Sequence, residues 1–113
     1  MHLKGVPFEK IRSGAKTIEL RLYDEKRQKI NVGDFIIFDN LEHPGMLMRV
    51  EVINIHRFDN FGDLYNTLPL KKCGYSDDEI ESASPDDMLE YYPAQEQEKY
   101  GVVGIEIKVY DKS

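Results

Sequence analysis

The chain reads as an α+β domain: several antiparallel strands, able to close into a small mixed or antiparallel barrel, with peripheral helices grouped at one end. Three observations carry this reading. Apolar and polar side chains alternate with a period of two over 16–23, 46–57 and 102–110, the mark of strands with one buried face. Two helix-capping signals, Ser76-Asp77-Asp78-Glu79 and Ser84-Pro85-Asp86-Asp87, lie close together between the last two strands. The 113 residues contain no internal repeat, low-complexity tract or long linker, so one unit over 1–113 is expected.

The elements follow in order. Pro7 opens a short helix over 7–13, with Phe8 and Ile11 on one face and Gly14 ending it. In the next strand Ile18, Leu20 and Leu22 alternate with Thr17, Glu19, Arg21 and Tyr23. A charged connection, 24–30, runs to the turn Asn31-Val32-Gly33-Asp34, and Phe35 to Phe38 is a short apolar strand. His43-Pro44-Gly45 turns the chain into the strand 46–57, whose apolar side is Met46, Met48, Val50 and Val52. A helix over 61–68 comes next, then the two capped segments, then a turn from Pro93 to Gly101. Each cap sets carboxylates at the positive end of a helix dipole, so those acids have a structural reason to be there.

Composition narrows the function. Apolar residues at 41% and charged residues at 32% fit a globular protein, and no run approaches the ~18 apolar residues of a membrane span. The N-terminus lacks the apolar stretch of a secretory signal, and a lone cysteine, Cys73, forms no internal disulfide; both point to the cytosol. The net charge of −6 is unevenly spread: residues 1–30 hold eight basic against four acidic side chains, the remainder seven against seventeen. A basic region on an acidic body attracts phosphate locally, although such asymmetry also arises by chance in small proteins. His2, His43 and His56 have no metal-ligand spacing among themselves or with Cys73, and no P-loop or dinucleotide fingerprint is present; no cofactor is expected.

The segment Gly14-Ala15-Lys16-Thr17-Ile18-Glu19-Leu20-Arg21 fits the pattern G-x-K-x-x-E-x-R, and it resembles the signature of the ASCH domain family. A Pro7-Phe8 helix before it, a Val32-Gly33-Asp34 turn and a closing Gly-Val-Val-Gly-Ile-Glu strand agree, so the likeness spans nearly the whole chain and is to the small bacterial single-domain type. The resemblance implies a PUA-like β-barrel, a cleft beside the motif strand and an RNA, nucleotide or nucleoside ligand. Gly14, Lys16, Glu19 and Arg21 are then expected to line that cleft.

The chemistry suits the expectation. Lys16 offers an ammonium to phosphate, and Arg21 a planar fork to phosphate or a base edge. Glu19 and Arg21 leave one strand face about 7 Å apart, so Glu19 orients Arg21 or accepts from a base amino group. Tyr23 continues that face as a ring for base stacking. The competing reading is a solvated face carrying a surface ion pair worth about 0–1 kcal/mol. Lys26, Arg27 and Lys29 extend a phosphate patch or simply form a basic connector. Asn54, His56 and Arg57 are placed at the cleft mouth. Cys73 is read as a buried thiol, and Tyr91, Tyr92 and Tyr100 as packing residues.

Two other functions stay open. One bacterial branch of the family consists of small N(4)-acetylcytidine amidohydrolases, to which the chain is similar around the lysine. That likeness implies Lys16 and Glu19 as catalytic residues, with Glu19 as base for water. Glu19, however, stands where that branch has a threonine, and its distant glutamate has no counterpart near Cys73 and Gly74. The third function is a protein-interaction module presenting the acidic segment 76–98, with an unspecified protein partner.

Overall fold

The computed structural model describes residues 1–112, with side chains for residues 1–110. Its strands are β1 (His2–Leu3), β2 (Ile18–Leu22), β3 (Phe35–Asn40), β4 (Leu47–Phe58) and β5 (Val102–Lys112). They form one sheet in the order β1-β3-β4-β5-β2, with β1 parallel to β3 and every other pair antiparallel. The helices are α1 (Gly5–Arg12), α2 (Phe61–Thr67), α3 (Asp77–Ile80) and α4 (Ala94–Tyr100), with 3₁₀ turns at Arg27–Lys29 and Pro85–Glu90. The expected α+β class is the observed one. None of these helices is long and apolar enough to cross a membrane.

The sheet curls into a half-barrel. Two register shifts in the β4–β5 ladder, at Arg49/Val50 and Val52/Asn54, bend the longest strands, as bulges do. Closure stops short of a continuous ladder: β1 and β2 are the two edges, and the described residues pair no backbone between them. The two-residue β1 was missed in the sequence because so short a strand has no period to read.

Two apolar cores lie on opposite faces of this sheet. Inside the curl, Phe8 and Ile11 of α1 pack on Ile36, Phe38, Met48, Val50, Val52, Val103, Ile105 and Ile107. Outside it, Ile18, Leu20 and Leu22 of β2 pack with Phe61, Leu64, Tyr65 and Leu68 of the α2 region. The apolar face of β2 therefore meets the helical layer. Its polar face, opposite Ile105 and Val103 in the ladder, turns into the barrel. That is why Glu19 is 4% exposed in a strand that alternates like a half-solvated one.

Gly104 brings the layers together. A Cβ there would lie 2.7 Å from Leu68 Cδ1 and 3.1 Å from Ile18 Cγ2. Gly104→Val is accordingly expected to cost about 1–3 kcal/mol by overpacking, read as a lower urea midpoint with an unchanged slope. Both capping boxes form as the sequence indicated, Ser76 with Glu79 and Ser84 with Asp87.

Candidate functional site

At the open seam between β1 and β2, three charged side chains meet. Glu19 Oε1 accepts from Lys16 Nζ at 2.8 Å, and Glu19 Oε2 accepts from Arg21 Nε at 3.1 Å and Nη2 at 3.0 Å. The same Nη2 donates to the His2 carbonyl at 2.9 Å, so one guanidinium spans from β2 to the opposite edge strand. Lys16 is held by its surroundings. Its amide donates to the Lys10 carbonyl at 2.9 Å, and the amides of Thr17 and Ile18 both donate to the Lys72 carbonyl. Gly74, at φ +110°, lies against the lysine stem, where a Cβ would sit 3.1 Å from Lys16 Cδ.

The electrostatics follow from burial and proximity. Burial raises the Glu19 carboxyl, but the charges of Lys16 and Arg21 and their hydrogen bonds outweigh it and hold the group below its ordinary value. For Arg21 burial acts downward, and Glu19, with the Tyr92 hydroxyl, reverses it to a net rise. Glu19 is thus a fixed carboxylate between two cations.

These residues line a cavity of about 570 Å³. One wall is the seam with the start of α1, where Lys4, Val6, Pro7 and Lys10 stand; facing it are Cys73, Gly74, Tyr75 and the 87–92 segment. A hydrogen-bonded chain crosses that second wall: Tyr75 donates to Asp87 Oδ2 at 2.8 Å, and the hydroxyls of Tyr65 and Tyr75 are 2.6 Å apart. Tyr75 spends its proton on the carboxylate, so Tyr65 donates to Tyr75. Burial pushes the Cys73 thiol up to about 11, only partly opposed by Lys16, which leaves it protonated and unreactive. Four basic side chains (Lys4, Lys10, Lys16, Arg21) and four acidic ones (Glu19, Glu42, Asp87, Glu90) line the space, so its formal charge balances.

Several sequence expectations need correcting. Gly14 is exposed at φ +86° after α1 and shapes the turn rather than the cavity. Tyr23 lies past the end of β2, in a more open groove of about 970 Å³, under the Arg57 guanidinium at 4.3 Å from its ring centre. That larger groove contains none of Lys16, Glu19 or Arg21. His56 pairs with Glu106 at 3.0 Å, and neither it, Asn54 nor Arg57 reaches the cavity. Arg27 pairs with Asp24 at 3.2 Å, and Lys26, Arg27 and Lys29 lie outside the lining. Tyr92 packs flat against Phe61, centroids 6.3 Å apart, yet it also lines the cavity with Tyr91. Tyr65, Tyr75 and Asp87 were missed: Asp87 is both a helix cap and the end of the tyrosine chain, and its spacing announces only the cap. The crowding of Tyr65, Tyr75, Tyr91 and Tyr92 into one segment was the available signal. Among the described residues no three His, Cys, Asp or Glu side chains gather as metal ligands.

The family model of the ASCH domain matches residues 1–110. The chain belongs to the ASCH domain family. This ASCH domain is similar to the crystal structure of the hypothetical protein PH0355, at 33% identity and a TM-score of 0.80, covering 97% of this chain and 96% of that one. It is also similar to the solution structure of protein PF0455 from Pyrococcus furiosus, at 30% identity and a TM-score of 0.71, covering 98% and 99%. No curated protein matches the ASCH domain described here.

Proposed function

We propose that this ASCH domain binds RNA or a nucleotide by admitting one base or nucleoside, in a PUA-like frame, to the cavity at the β1–β2 seam. The observation that carries this reading is the buried Lys16–Glu19–Arg21 cluster opening onto a tyrosine-lined hollow. Three charges drawn out of water are a poor device for stability, since apolar residues of similar volume serve as well or better. As a recognition device they make sense. Lys16 carries three donors, of which Glu19 takes one, leaving protons for a ligand carbonyl or phosphate. Tyr91 and Tyr92 offer rings to a base, and the cavity falls in the usual range for small-molecule sites.

Hydrolysis of a modified nucleoside with Glu19 as base is the weaker reading. Both Glu19 oxygens already accept hydrogen bonds from cations, and the group sits below its ordinary pKa, which makes it a reluctant proton acceptor. The acidic segment 76–98 gains nothing as an interaction surface from the two capping boxes, which account for four of its polar side chains.

A thermal-shift screen of nucleosides, nucleotides and short RNAs tests the proposal. A ligand bound by the native state alone raises the melting temperature by mass action, by the equivalent of about 2.7 kcal/mol at a hundredfold excess over Kd. A flat melting temperature across the whole set rejects it.

A further inference from the structure

The outer face of the sheet beyond the second core, over β3, the start of β4 and the end of β5, has a composition unusual for solvent. Along β3 the side chains at 35, 37 and 39 point outward while those at 36, 38 and 40 are buried. Phe35 is 50% exposed, Ile37 54%, Leu47 46% and Tyr110 60%. They are neighbours. Ile37 stands opposite Arg49 and Asp39 opposite Leu47 in the β3–β4 ladder, and the Phe35 and Tyr110 rings meet edge-on at 5.0 Å across β4. The Arg49 guanidinium lies over both rings, 5.4 Å from the Phe35 centre and 4.6 Å from that of Tyr110. The solvated face of an antiparallel sheet normally carries polar side chains, and a contiguous apolar patch marks an interaction surface.

The charges on this face identify its occupant. Among the described residues of this chain of net charge −6, the charged side chains around these rings are Asp39, Arg49, Glu51 and Lys108, two of each sign, with Glu51 opposite Lys108 across β4 and β5. Glu106, farther along β5, is held by His56. A nucleic acid finds no excess of cations here, and a basic protein no excess of acids. A surface with equal and interleaved signs complements itself. Arg49 and Glu51 are two residues apart on β4, so a two-fold axis between them sets Arg49 of one copy against Glu51 of the other, with the apolar side chains meeting around them. Like-charged bodies also approach with least repulsion where each is locally neutral.

We infer that two copies of this chain pair through the outer faces of β3, β4 and β5, leaving the seam cavities open on the far sides. The inference does not depend on what the cavity binds. Sedimentation equilibrium of the intact chain over a micromolar dilution series tests it. The native protein is expected at about twice its chain mass. Ile37→Lys and Tyr110→Ser are each expected to halve that mass while keeping the native circular dichroism, because both side chains are half-exposed. A native protein that stays monomeric throughout the series overturns the inference. So does a dimer that survives both substitutions, since its contact then lies elsewhere.

Discussion

Glu19→Gln is expected to lower stability by about 3 kcal/mol, roughly 10 °C in melting temperature, the largest effect of any single polar substitution in this fold. The change keeps the shape and removes the charge. Lys16 and Arg21 are then left facing each other across a neutral amide, whose NH₂ group points a donor at a donor whichever way it turns. Breaking a buried ion pair from one side costs more than the pair ever contributes, because the surviving charges stay desolvated. Acid reports the same interaction. The carboxyl pKa is lower in the folded chain than its ordinary 4.5, so the folded state binds fewer protons over that range. Its contribution is fully present above 4.5 and drains away as pH falls through the depressed folded value. Melting curves taken from neutral pH downward should show the native protein losing stability faster than Glu19→Gln, with the two converging. Parallel curves contradict a charged Glu19.

Lys16→Ala should weaken nucleoside or RNA binding roughly 10- to 100-fold, the worth of a charged hydrogen bond at 1.4 kcal/mol per decade, while the protein remains folded. Fluorescence anisotropy or calorimetry against the best ligand of the thermal screen measures it. The salt response should be shallow. Lys16, Glu19 and Arg21 sum to a single positive charge, and the cavity as a whole is balanced, so the logarithmic slope for a single strand is expected near −0.7. A steep slope would place several phosphate contacts beyond the cavity, and an unaffected Lys16→Ala would remove the seam from the binding site altogether.

Local patterns in the chain were sufficient for most of the architecture. Alternation located β2, β4 and β5, and serine caps located the helical segment, because both signals arise within a few residues. Alternation also named the right polar residues on β2. It did not say that both faces of that strand would be covered, which depends on α2 and Leu68 arriving from forty residues away. For the same reason Tyr23 looked like a continuation of the Glu19–Arg21 face. The strand ends at Leu22, and Tyr23 donates its amide to the Gly101 carbonyl, which carries its ring to the other groove. The far wall of the cavity was least legible. Tyr65, Tyr75 and Asp87 come from a helix, a loop and a 3₁₀ turn, and only the tertiary fold makes them neighbours.

A sheet with two free rims is open to strand addition from other chains, and this one turns its rims toward each other. A guanidinium bridges the strip between them, and a carboxylate and an ammonium lie behind, a polar lining that does not suit an extended apolar segment. The arginine that shapes the hollow therefore also covers part of the rim that strand addition would use, by donating to the His2 carbonyl.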